Sequence, residues 1–273
     1  MGLTGSLPSI LADHLQIIAD KNDDKRTSEE VPYSADPLSA TSMPEVPFET
    51  LEIKQSIYEL LRQNFFVLSP RTNRGWSGRK VRNFVVNFVK KWNSSSNKSQ
   101  KIDITRIHVT GPSMGGAGTF SAANIGAPAI FATCVPICAA GGVIAENFPL
   151  AETNVWAWHA VNDEVVPVTV SDEAIQALET VAKKRNMNGT KTAVNGAIKY
   201  TREPHAPAPA GWPHYPGHAG WMSTYRSKEL YSWMLKSKLE MSEGLKKLFE
   251  VDSTSATTAD GNLSKRTKKD NEL

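Results

Sequence analysis

The sequence predicts an α/β fold, a mostly parallel sheet with helices on both of its faces. Two observations carry this. Short apolar runs alternate along the chain with longer segments whose apolar residues recur at helical spacing, the pattern of strands joined by crossover helices. One of those runs stops abruptly at Gly111-Pro112-Ser113-Met114-Gly115, a strand-to-helix corner of the kind that demands small residues.

The elements follow in order. Leu7 to Ile18 reads as a short helix, and 21–47 as an irregular loop, charged at first and then rich in proline and serine. Ile53, Ile57, Leu60 and Leu61 mark an amphipathic helix over about 50–62. "NFFVLSP" reads as a buried strand ended by Pro70. Val81, Phe84, Val85, Phe88, Val89 and Trp92 form one helical stripe, and "NSSSNKSQK" is a polar connector. A strand near 104–110 feeds a helix starting at Ser113, and a second strand lies near 131–137. "NVWAWHAV" (154–161) is a third, after which Ser171 caps a helix carrying Ala174, Ile175, Leu178, Val181 and Ala182. "AIKYTRE" is a fourth, followed by the loop "PHAPAPAGWPHYPGHAGW" and a last helix over about 227–249. Residues 251–273 have little to bury and read as a disordered tail, leaving one domain over 1–250.

Composition bounds the function. The chain has 273 residues, 40% apolar and 22% charged, ordinary values for a globular protein. A net charge of +3 gives no case for nucleic acid. No run of apolar residues is long enough to span a membrane. The first twenty residues lack a basic head followed by an apolar block, which sets the expectation of a cytoplasmic protein, or of a secreted one if the N-terminus is truncated. Cys134 and Cys138 would sit about 13 Å apart on a strand at roughly 3.3 Å per residue, too far for a disulfide. They read as buried free thiols. Asn93, Asn97, Asn188 and Asn262 open glycosylation sequons, taken as chance matches. No regularly spaced metal ligands occur, so no metal or cofactor is expected.

A serine at a G-x-S-x-G corner has its hydroxyl lifted above the strand ends, and the helix that starts there turns free N–H groups toward developing negative charge. The pentapeptide alone equally marks a helix start packed on small residues. The strand before it and the helix after it supply the context. The Met114 N–H is placed to donate to an oxyanion. A serine needs a base, and the base an orienting acid. Asp163 lies just past the 154–161 strand, with Glu164 and Asp172 weaker choices. Of the histidines after the next strand, His218 stands beside Gly217, free to swing over the serine, while His205 and His214 line the entrance. His108 and His159 read as hydrogen-bonded core residues, and His14 as surface. Trp212, Tyr215 and Trp221 read as lining a pocket for an apolar or aromatic group.

"DITRIHVTGPSMGGAGTF", "IFATCVPICAAGG", "VWAWHAVNDEVVPV" and "GHAGWMSTYRSKELYSWML" occur in the order seen in α/β-hydrolase serine esterases. Over about 64–240 the chain resembles the polyhydroxybutyrate depolymerase and feruloyl-esterase-like group, near the phospholipase/carboxylesterase family. The resemblance implies the α/β-hydrolase fold, with Ser113 as nucleophile, Asp163 as acid and His218 as base. It also implies a second oxyanion donor from a His-Gly loop, for which Gly2 to Gly5, with Leu3 as donor, is the remnant. The strands that precede that loop in the family are absent, so the chain reads as N-terminally incomplete. Ala160 stands where the family usually has glycine. The expected activity is cleavage of a small-molecule or polymeric ester through an acyl-enzyme. The alternative is a catalytically impaired relative that binds a ligand or partner. The sequence sets no oligomeric state.

Overall fold

The computed structural model describes residues 48–70, 72, 75–95, 100–187 and 198–250. The expected helix at 7–18, the loop at 21–47, Leu3 with its oxyanion loop, His14 and the 251–273 tail lie outside them. Four strands, β1 (His108–Pro112), β2 (Thr133–Ile137), β3 (Asn154–Ala160) and β4 (Ile198–Glu203), pair in that order, all parallel. Each crossover brings the next strand back in the same direction, so all four C-terminal ends share one rim. Ser113, Cys138 and Asp163 follow the ends of β1, β2 and β3 there.

Alternation along β2 and β3 sorts the core into two faces. Val135, Ile137, Trp156 and Trp158 join Ile57 and Leu61 of α1 (Phe48–Asn64) and Leu230, Tyr231 and Met234 of a helix near the C-terminus. Cys134, Val155 and Ala157 face the other way, onto Phe120 and Ala123 of α3 (Met114–Ala123) and Ala174, Ile175 and Leu178 of α4 (Val168–Met187). The sheet is therefore covered on both sides, as the expected α/β architecture requires. The stripe of Val81 to Trp92 is realised as α2 (Gly78–Ser94), which packs Val86 and Val89 beside Ala122 of α3. Asn93 ends that helix by clamping the connector, donating to the Ile102 carbonyl at 2.9 Å and accepting from its N–H at 2.8 Å.

Three elements depart from expectation. "NFFVLSP" is not a strand. Phe65 instead continues the helical bonding, its N–H on the Leu61 carbonyl at 2.9 Å. Among the described residues β1 has β2 as its sole strand partner, so no ladder receives this segment. Ser171 lies inside α4 rather than at its cap. The helix expected over about 227–249 is two pieces, α6 (Lys228–Lys236) and α7 (Glu243–Phe249), with a short α5 (Trp221–Thr224) ahead of them. Ser227 and Ser242 cap α6 and α7 by accepting from Leu230 and Leu245 N–H. The link before α7 is drawn to the sheet layer by a bond from the Leu239 N–H to the Thr105 carbonyl at 2.8 Å.

Both cysteines are buried and free. His108, on β1, bonds Thr133 Oγ1 through Nδ1 at 2.9 Å and meets the edge of Phe65. Burial, reinforced by Arg106 and opposed by Asp103, holds its pKa down to about 4, against 6.5 ordinarily. Between those values the unfolded chain binds a proton that the native state refuses. Native stability should therefore fall as pH drops through this window, by up to about 1.4 kcal/mol per pH unit. Urea unfolding midpoints across that range should show the slope, and His108→Gln should flatten it.

Candidate active site

Ser113 joins β1 directly to α3 with φ 55° and ψ −121°, a region that non-glycine residues avoid. Such strain costs about 1–3 kcal/mol and persists only where the surroundings over-determine it. Here the Ser113 N–H donates to the Ile137 carbonyl at 2.9 Å, and its carbonyl accepts from Ala117 N–H at 3.1 Å and Ala140 N–H at 3.4 Å. The corner is thus tied both to α3 and to the segment after β2. Gly116 makes that approach feasible: a Cβ there would lie 2.8 Å from the Ile137 carbonyl oxygen and from the Ala139 Cα. Met114, the first residue of α3, has its N–H outside the helix's own bonding, and its side chain is 68% exposed.

Asp163 is buried in the turn after β3. Val165 and Val166 N–H donate to its Oδ1 at 2.9 Å each. Its Oδ2 takes His218 Nδ1 at 2.8 Å and faces His159 Nε2 at 3.2 Å. Burial by itself would raise the carboxyl pKa. The bonds from His159, His218 and the Val166 N–H, with the charge of His218, outweigh it and hold the group well below the usual carboxylate range. Asp163 is therefore ionised at neutral pH.

His218 is buried, its ring between Tyr215 and Trp221 at centroid distances of 6.3 and 5.7 Å. The expected freedom of swing at Gly217 is replaced by close packing. Gly217 has φ +72°, and a Cβ there would lie 2.0 Å from the Asn162 carbonyl oxygen. This glycine presses the histidine loop against the aspartate turn, an arrangement continued by the bond from Glu164 N–H to the Pro216 carbonyl at 3.1 Å.

The structure thus joins Asp163 and His218 directly. Among the described residues no hydrogen bond joins the Ser113 hydroxyl to the His218 ring. The Cys138 side chain meets the main chain of both residues. Its thiol donates to the His218 carbonyl at 3.7 Å, and the Ser113 N–H acts on its sulfur. Burial pushes the thiol pKa up, opposed by that N–H and reinforced by the Asp163 charge. Ligand atoms of Cys138, Asp163 and His218 lie within 4.8 Å of one another. Of these, the carboxylate already has four donors, so the group is knit by hydrogen bonds.

The remaining candidates scatter. Trp212 and Tyr215 are half-buried and meet at a tilt, ring centroids 5.6 Å apart, on the loop before His218, with the exposed His214 against both. Trp221 is fully buried in the core beside His218, and its indole N–H has no partner among the described residues. His205 is exposed, Glu164 is exposed, and Asp172 is bound to Tyr200 and Arg202. Among the described residues no helix is long and apolar enough to cross a membrane.

Neither a protein-family model nor a curated protein matches the chain. Solved structures share part of its shape. A thermostable esterase aligns at a TM-score of 0.42 and 27% identity, over 57% of this chain and 36% of its own. An acylaminoacyl peptidase of Pyrococcus horikoshii aligns at 0.40 and 14%, over 63% of this chain and 30% of its own. Zea mays acyl-protein thioesterase 2 aligns at 0.28 and 14%, over 61% of this chain and 76% of its own. The chain spans about a third of the length of the first two.

Proposed function

We propose that the chain carries the catalytic machinery of an α/β-hydrolase serine esterase. The observation that carries this reading is the buried Asp163–His218 pair at 2.8 Å, built on the same sheet rim as a serine held at φ 55°. A strained serine, an ionised buried acid and an imidazole bonded to it have a shared use in nucleophilic acyl transfer.

In the reaction the Ser113 oxygen attacks the ester carbonyl while His218 Nε2 takes its proton. The His218 Nδ1–H stays on Asp163, whose charge stabilises the imidazolium. The Met114 N–H donates to the oxyanion, joined on our reading by a donor from the Gly2–Gly5 loop, Leu3. Collapse expels the alcohol, which receives the proton from His218. Water, deprotonated by His218, then attacks the acyl-enzyme and frees the acid and Ser113. The Ser113–His218 contact closes when substrate is bound, as catalytic hydrogen bonds that are long in empty sites do. The half-buried rings of Trp212 and Tyr215, tilted against each other, give an apolar or aromatic substituent a surface beside the base. Trp221, buried under His218, supports the ring instead of lining an open pocket.

A fluorophosphonate probe tests this. It should label the purified protein with one equivalent, and peptide mapping should place the adduct on Ser113. Absence of an adduct would favour the alternative, a hydrolase-like binding protein.

A further inference from the structure

We propose that His159 is a positioning residue for this reaction, a second imidazole that holds the Asp163 carboxylate for His218. The inference rests on the esterase reading above and extends it to a residue outside the serine, acid and base.

His159 is the penultimate residue of β3 and 1% exposed. Its side chain points to the face covered by α4, like Ala157 two residues earlier. Its ring nitrogens meet partners of fixed character. Nε2 lies 2.9 Å from the Val166 carbonyl and 3.2 Å from Asp163 Oδ2. A carbonyl and an ionised carboxylate only accept, so Nε2 carries the proton. Nδ1 lies 2.7 Å from Ser171 Oγ. That hydroxyl can donate to Nδ1, so a neutral ring satisfies every contact with a single proton. Ser171, placed mid-helix in α4, is what selects this tautomer.

The consequence falls on Asp163. Backbone N–H groups of Val165 and Val166 anchor Oδ1. They leave Oδ2 able to pivot about that anchor. His218 alone does not stop this, because it must change charge during each turnover and sits on a loop. His159 sits on the sheet, held at both ring nitrogens by Ser171 and the Val166 carbonyl. Its N–H shares Oδ2 with His218 and fixes the angle at which the carboxylate meets the base. The same ring bonds the Val166 carbonyl, so it also braces the turn that supplies the Oδ1 donors.

A histidine serving merely to fill the core would show its loss in stability, with Ser113 reactivity unchanged in the folded protein. The test uses the full chain with His159→Leu, His159→Gln and Ser171→Ala. Three measurements are made: the second-order rate of fluorophosphonate labelling at Ser113, kcat and KM for p-nitrophenyl butyrate, and the low-field imidazole N–H proton spectrum. His159→Leu should slow labelling and kcat about 10- to 100-fold, the loss of one hydrogen bond to a charged group, with KM little changed. His159→Gln, whose amide N–H can reach the same oxygen, should recover most of the rate. Ser171→Ala should give a smaller loss of the same kind, and it decides the matter if His159→Leu does not fold. The low-field signal of the His218 Nδ1 proton should shift in each His159 variant. Wild-type rates in folded His159→Leu, a His159→Gln no better than His159→Leu, a wild-type rate in Ser171→Ala, or an unmoved low-field signal would each overturn the proposal. A wild-type protein that takes no label defeats the esterase reading instead, and the proton spectrum then still decides whether His159 holds the carboxylate.

Discussion

Replacing Ser113 with alanine is expected to lower kcat for p-nitrophenyl butyrate hydrolysis by roughly 10⁶-fold, the size seen when the nucleophile of a serine hydrolase is removed. A residual of about 10³- to 10⁴-fold over water should survive from binding and oxyanion donation. Alanine dislikes φ 55° as serine does, so Ser113→Ala should leave stability little changed. Glycine relieves the backbone, and Ser113→Gly should exceed Ser113→Ala in thermal midpoint by the share of the about 1–3 kcal/mol strain that belongs to φ. A fold that was merely using a small-residue corner for packing would show no kinetic loss, whereas the order of midpoints follows from φ in either case. Unchanged turnover in Ser113→Ala would remove the serine from the chemistry.

Much of this site was legible because its parts are local. The serine corner follows from glycines that leave no room for a side chain, and the structure shows why at Gly116, pressed on the strand that follows. Asp163 was readable as the residue past the end of β3, since parallel strands put their C-terminal ends on one rim. His218 was readable by order. What was not legible depends on distant partners. "NFFVLSP" has the composition of a buried strand, yet a strand needs a neighbour, and β1 offers it none among the described residues. The C-terminal helical stretch breaks where Leu239 bonds Thr105, more than a hundred residues earlier in the chain. His159 was read rightly as buried and hydrogen-bonded, but its tie to Asp163 depends on the turn folding back by one strand end. Cys138 reads from the sequence as a buried free thiol. Its contacts with the Ser113 N–H and the His218 carbonyl had no sequence signal beyond its place just after β2.

Asp163→Asn is expected to lower kcat by about 10⁴-fold while leaving the fold intact, and the reason lies in the donors around it. The carboxylate accepts from four N–H groups, two on each oxygen. An amide has one oxygen to offer. If that oxygen keeps the Val165 and Val166 N–H groups, its NH₂ confronts two imidazoles that were donors. His218 resolves the clash by moving its proton from Nδ1 to Nε2, so that Nδ1 accepts from the amide. The nitrogen meant to take the Ser113 proton then already carries one, and the base is lost although every atom is in place. The same substitution has a signature in stability. The native carboxyl titrates below its unfolded value of 3.8, so ionised Asp163 contributes stability that is complete above that pH and disappears as pH falls toward the native value. Acid unfolding of the wild type should therefore steepen below about pH 4, and Asp163→Asn should flatten that limb. A kinetic loss without the flattened limb would mean that Asp163 is not the ionised, four-donor carboxylate on which His218 depends.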